Sequence, residues 1–276
     1  MLRGRSGRNE ILASARFRPQ MSEKILGLLP AAGRGKRIGH LPCSKEVYPI
    51  GFDDGDMQPK PACRYLLGSM AHAGVKEAMI ITNKHKLDIP AYLGSGNAMG
   101  MSFLYMVIEE TPGVPFTLDY AFPFLEESTV AFGFPDIVFE TEDAFSKLFQ
   151  RYRATGASAV LGLFPSRCPE LVDTVDIDPE GRIRRIRIKD SESKLKYSWA
   201  IAVWSYEFTQ FLHSYVLAKP EATDAGAEIY LGHVFQAAIV EGLAIEGVSV
   251  SSAPFHDIGT PKGLFNATKT LARNYQ

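Results

Sequence analysis

The stretch that most narrows the possible folds runs from Ile25 to Gly39, ILGLLPAAGRGKRIG. A short unbroken apolar run such as Ile25 to Leu29 is the pattern of a strand buried on both faces inside a parallel sheet. It gives way to glycines and to three cations, Arg34, Lys36 and Arg37, with a further lysine at Lys45. Backbone amides and positive charge gathered at the end of such a strand make a cradle for a polyanion. The next residues supply the crossover that a parallel sheet requires. Pro61 to Ala73 predicts a helix with proline in its first turn and Gly74 as its stop, and Ala78 to Thr82 predicts the following strand. Strand, loop, helix, strand is a βαβ unit.

The alternation continues. Val130 to Gly133 reads as a strand ending at Pro135-Asp136, Ala144 to Thr155 as a helix, and Ala157 to Phe164 as another buried strand. From Thr174 the character changes: TVDIDPEGRIRRIRIKD alternates apolar and polar residues around Asp178-Pro-Glu-Gly, a hairpin signature. Tyr197 to Tyr206 adds a strand, Ile229 to Glu241 a helix, and Leu264 to Arg273 a closing helix. The expected fold is a doubly wound α/β core with a mixed, mainly parallel sheet over about 21–165, and an added β-rich lid layer from about 166 to 227. In such sheets ligands sit at the carboxyl ends of the strands, where both the glycine loop and Asp136 fall.

The formal charge of −1 over 276 residues leaves no global field to recruit nucleic acid or acidic lipid, so an anion site must be built locally. Cys43, Cys63 and Cys168 are widely spaced and odd in number, which argues against a disulfide framework and a cysteine zinc site and makes a reducing cytoplasm the expected setting. The six histidines form no metal-binding spacing. No apolar run approaches the roughly 20 residues of a membrane helix. Residues 1–20, with five arginines and one glutamate, read as a disordered leader before Met21, and 21–276 as a single domain with halves of about 21–165 and 166–276.

Two familiar phosphate loops fail here. Nothing matches GxxxxGK[ST], and the GxGxxxG spacing with Pro42 soon after does not lead directly into a helix as a dinucleotide fingerprint does. The longer string AAGRGKRIG, an intervening loop, then SKEVYPIG resembles the amino-terminal signature of sugar-1-phosphate nucleotidyltransferases, at Gly33, Gly35, Arg37, Lys45, Pro49 and Ile50. Three further passages resemble that family in order: KPACRYLLGSMAHAGVKEAMIIT, VAFGFPDIVF and FHDIGTPKGLFNA. Length and layout look like the glucose-1-phosphate thymidylyltransferases and uridylyltransferases.

The resemblance implies a Rossmann-like nucleotidyltransferase fold with a sugar-binding lid half, and attack of a sugar 1-phosphate on the α-phosphorus of a nucleoside triphosphate, dTTP or UTP favoured. It implies that Ala32, Gly33, Gly35 and Lys36 border the triphosphate, that Arg37 steadies the departing pyrophosphate, and that Lys45 neutralises the α-phosphate. Asp136 and Asp257 would share one Mg²⁺. Glu109 or Glu110 falls near the family's base-reading glutamine, Lys189 at its sugar-phosphate lysine, and Glu228 at a glutamate before the late helix. Oligomerisation is common in the family. The sequence departs from the pattern at Lys36, where threonine is usual, and at Ile188, where a sugar-contacting glutamate is usual. Plainer roles stand beside these: Arg34 and Lys36 as solvated charges, Lys189 as a surface lysine, Glu228 as a helix N-terminal acid, Asp257 as a cap on the Ile258-Gly259 turn. Two other functions remain open, a non-catalytic nucleotide-binding relative and a transferase for a non-sugar phosphorylated alcohol.

Overall fold

In the computed structural model, which describes residues 24–53, 57–219 and 228–272, Ile25–Pro30 forms the middle of a parallel array. It pairs in parallel with Thr129–Gly133 on one side and with Glu77–Asn83 on the other, and the latter pairs in parallel with Ser102–Ile108. Its leucines at 26, 28 and 29 are buried, as a strand covered on both faces demands. Residues 1–20, expected to be a leader, lie outside the described residues, as does Arg273, where the closing helix was expected to end.

Tyr197–Trp204 runs antiparallel beside Thr129–Gly133 and, on its other edge, beside Ala159–Pro165, which pairs in parallel with Ile245–Ser249. The hairpin Thr174–Ile177 and Ile183–Arg187 closes through Asp178, whose Oδ1 accepts from the N–H groups of Glu180 and Arg182 at 3.1 and 2.9 Å. It is hydrogen-bonded to the main sheet, Tyr197 opposite Val175 and Ser198 opposite Thr174. The β-rich addition thus continues the sheet edge. Among the described residues the sheet has nine strands, mixed but with a parallel core.

One helix was not legible as such: Tyr206–Leu217 begins where the sequence suggests that the 197–206 strand is still running. The strand stops at Trp204 because Ser205 turns into an N-cap, its side chain accepting from the Phe208 N–H at 3.4 Å, after which Phe208, Leu212 and Val216 fall on one buried face. The strands Ser102–Ile108 and Ile245–Ser249 also escaped the pattern reading. The first is a half-exposed edge strand and the second carries a glutamate and a glycine.

Helices cover both faces. Helices Ala62–His72 and Ala144–Thr155 pack on one side around Leu66, Met70, Phe145 and Phe164. Helices Tyr206–Leu217 and Leu231–Val240 cover the other around Trp204, Phe208 and Phe235, with Phe208 and Phe235 stacked at 4.5 Å. Leu66 is fully buried and sits directly against Gly133, so it locks a helix to the strand that leads to Asp136. Leu66→Ala is expected to lower the unfolding free energy by about 2–5 kcal/mol, measured by chemical denaturation.

Candidate active site

Four strands in parallel end on one side of the sheet. The segments that follow them bring Ala31 to Arg37, Asn83 to Lys86, Glu109 with Glu110, and Asp136 to a single edge. A cleft of about 890 Å³ lies there, walled by the glycine loop, Ser44, Lys45, Asn83 to Asp88 and the two glutamates. A second recess of about 420 Å³ continues from the loop past Thr111 to Thr117 and reaches Glu228 and Gly259.

The start of the loop is tethered through its carbonyls. The Asn83 amide donates to the Ala32 carbonyl at 2.6 Å and the Lys86 ammonium to the Ala31 carbonyl at 2.9 Å. With those oxygens engaged by the neighbouring strand's end, the loop beyond is left to a ligand. Gly35 adopts φ +63°, the left-handed region that residues with a Cβ seldom enter. Lys86 is itself buried and forked onto both oxygens of buried Glu46, at 2.7 and 2.9 Å. This pair has no counterpart in the sequence reading, since nothing local marks a lysine and a glutamate 40 positions apart as partners.

Asp136 follows the strand Thr129–Gly133, and Asp257 reaches it by a two-stranded ribbon in which Asp257 opposes Ile137 and His256 opposes Val138. The Ile258 N–H donates to the Asp136 carbonyl at 3.1 Å. Lys45 is ion-paired to Asp136, both side chains largely buried. Burial is the largest influence on the Asp136 carboxyl and would raise it, but the Lys45 charge and hydrogen bond, with Lys86 and the backbone, together hold the group below the usual carboxylate range; burial likewise lowers Lys45, and Asp136 with Glu46 reverses this so that it stays protonated. Asp257 moves the other way: burial, then the adjacent Asp136 charge, raises it. Its Oδ1 accepts from the Gly259 N–H at 2.7 Å, the turn-capping role, and Arg37 approaches its other oxygen at 4.0 Å.

The donor set suits a hard dication. Two carboxylates converge where each raises the cost of ionising the other, and one already holds a cation, the Lys45 ammonium. Gly259 leaves the space between them clear, for a Cβ there would lie 2.8 Å from Asp257 Oδ1 and 3.4 Å from Asp136 Oδ2. Among the described residues no group of three or more His, Cys, Asp or Glu gathers to hold a metal, at this site or elsewhere.

Of the other predicted residues, Arg34, Lys36, Glu109, Glu110 and Glu228 line the two recesses, whereas Lys189 lines neither. Arg34 is ion-paired to Glu110 and Lys84 approaches Glu109 at 3.6 Å, so both glutamates face cations across the larger cleft. Lys36 lines both recesses. Glu228 borders the second recess. Lys189 stands with its ammonium 3.5 Å above the Tyr230 ring and its backbone in the left-handed region at φ +46°. Asp173, behind Lys189, was not singled out by the sequence. His256 is half-buried and its pKa is lowered, by burial and then by Arg167.

A family model described as nucleotidyl transferase matches residues 26–274. A crystal structure of a candidate glucose-1-phosphate thymidylyltransferase from Bacillus anthracis, in complex with sucrose, superposes with a TM-score of 0.75 at 21% identity, covering 90% of this chain and 95% of that one. At that identity the likeness is one of fold. No curated protein matches the chain significantly.

The buried Glu46–Lys86 pair underpins the loop, which makes it testable apart from chemistry. Lys86→Met leaves an uncompensated buried carboxylate and is expected to cost about 3–5 kcal/mol in denaturant unfolding. The double variant Glu46→Gln, Lys86→Met should recover part of that loss.

Proposed function

This chain belongs to the nucleotidyl transferase family, and we propose that it moves a nucleotidyl group from a nucleoside triphosphate, dTTP or UTP, to a sugar 1-phosphate with Mg²⁺, releasing pyrophosphate. The observation that carries this reading is the convergence of a glycine loop, Lys45, Arg37, Asp136 and Asp257 at one sheet edge. The three free cysteines fit a cytoplasmic setting, and among the described residues no helix is long and apolar enough to cross a membrane.

The nucleophile in such a reaction is a phosphate monoester, whose second pKa of about 6 leaves it ionised at neutral pH. It needs no general base. What the reaction requires is alignment and neutralisation of charge. In this reading the N–H groups from Gly33 to Arg37 receive the triphosphate. Arg37, with its side chain 59% exposed, is free to turn onto the β- and γ-phosphates and steady the pyrophosphate as it leaves. Lys45 is held at the α-phosphate by Asp136 and offsets the charge that builds there.

Asp136 and Asp257 would hold the Mg²⁺, which would supply positive charge to offset that of the phosphates. Lys189 would take the acceptor phosphate, and Glu228 would border its hydroxyls. Glu109 and Glu110 can accept a hydrogen bond from the N3–H of thymine or uracil but cannot donate to a carbonyl oxygen. Lys84 and Arg34, paired to those glutamates, supply donors for the carbonyls.

Pyrophosphate release should be scanned with dTTP, UTP, CTP, ATP and GTP against a panel of sugar 1-phosphates. Release that depends on one pair supports the proposal; nucleotide binding without release across the panel would point instead to a non-catalytic relative. With the active pair, Asp136→Asn is expected to lower kcat by at least about 100-fold while circular dichroism shows an intact fold. Near-normal turnover would remove Asp136 from the metal site.

A further inference from the structure

A third recess, of about 390 Å³, lies beside Asp257, between the closing helix Pro261–Ala272 and the segment that follows the strand Ala159–Pro165. It is on the opposite face of the sheet from Lys189. Successive residues of a strand point to opposite faces. Trp199 packs at 4.9 Å on Phe235 of the helix Leu231–Val240, and Lys189 sits over Tyr230 at the start of that same helix. Ser198, which lines the recess, therefore points the other way. Phe255, also in its wall, packs edge-on at 5.3 Å against Phe164, in the core under the helices Ala62–His72 and Ala144–Thr155. The recess is thus separate from the place assigned to the acceptor phosphate.

Its charge has one sign. Arg37, Arg167, Lys262 and Lys269 line it against a single carboxylate, Asp257, in a chain whose formal charge is −1. Among the described residues the ion pair in its wall is Arg37 with Asp257, at 4.0 Å, and no carboxylate answers Arg167, Lys262 or Lys269. Cations gathered around a concavity without counter-charge raise its potential and draw in an anion. Ser198 points to a ligand independently. It is 2% exposed, yet its hydroxyl has no hydrogen-bond partner among the described residues. A hydroxyl kept from water and left unpaired costs free energy that an oxygen acceptor in the recess would return.

We propose that this recess is a second phosphate-binding site, which takes a phosphate or diphosphate group on Arg167, Lys262, Lys269 and Ser198 and shares Arg37 with the triphosphate cradle. Arg37 lines both this recess and the one that reaches Glu228, and its exposed side chain can face either. An occupant that engages Arg37 here withdraws it from the departing pyrophosphate and slows turnover. The binding stands on the recess alone, whereas the effect on turnover rests on the nucleotidyl-transfer reading above. Two sources offer this chemistry: pyrophosphate just released, and a separate small phosphate ester whose body lies on the apolar wall of Leu171, Val172 and Phe255.

The test is isothermal titration calorimetry of inorganic phosphate and pyrophosphate into the full-length protein, comparing wild type with Arg167→Gln, Lys269→Gln and Ser198→Ala. Wild type is expected to bind at a site that each cation substitution weakens by about 10-fold or more, and Ser198→Ala, which removes a hydroxyl and no charge, by a smaller factor. Equal binding by wild type and all three variants, or none by wild type, overturns the site. In the pyrophosphate-release assay the variants should keep kcat and both KM values within about twofold when no inhibitor is added. Variants that lose sensitivity to added pyrophosphate assign the site to the reaction's product; variants that lose sensitivity only to phenyl phosphate assign it to a separate ester. Inhibition unchanged in every variant overturns the link through Arg37. A protein inactive against the whole substrate panel removes the transfer reading, and the calorimetric result then decides the site by itself.

Discussion

Two carboxylates drawn together in a nearly dry cleft repel each other, and much of this molecule is arranged to offset that repulsion. Asp136 is neutralised by Lys45, and Asp257 is eased by the Gly259 N–H and by Arg37. The short ribbon that pairs residues 256 and 257 with 137 and 138 imposes the approach, and the closing helix Pro261–Ala272 anchors it through Leu264, Ala267 and Leu271, which pack with Ile50, Val138 and Ile258. In the proposed reaction a dication and a polyphosphate would each relieve part of this field.

The same logic accounts for the buried Glu46–Lys86 pair. The chain segment around Lys45 must enter the sheet edge to present its ammonium, and the neighbouring glutamate is carried inside with it. Lys86 answers that charge and uses its remaining donor on the Ala31 carbonyl. One ion pair thus fastens the glycine loop to the segment that carries Lys45. The cost of desolvating two charges is met by three short hydrogen bonds, so the arrangement fixes geometry more than it adds stability.

Much of the parallel core was legible because both-face burial writes continuous apolar runs, as at Ile25 to Leu29, and because proline and glycine punctuate helix ends, as around Ala62–His72. Residues on the glycine loop and near Asp136 could be located because strand ends converge in such sheets. What the sequence hid depends on distant pairing. The edge strand Ser102–Ile108 lacks a clean alternation, the Ser205 cap is a single residue at a strand end, and the Glu46–Lys86 and Asp173–Lys189 contacts join residues that no local spacing relates. Lys189 and Glu228 stand in the second half of the chain, and only the fold shows Glu228 bordering the recess that starts at the glycine loop.

The central claim is that a phosphate oxygen of the acceptor displaces pyrophosphate from the α-phosphorus. It is tested most directly by mass spectrometry of the product formed from an unlabelled triphosphate and a sugar 1-phosphate carrying ¹⁸O throughout its phosphate. The account predicts a nucleoside diphosphate sugar that retains every labelled oxygen, with unlabelled pyrophosphate beside it. Label appearing in pyrophosphate or in a free nucleotide, or no condensed product at all, would contradict it.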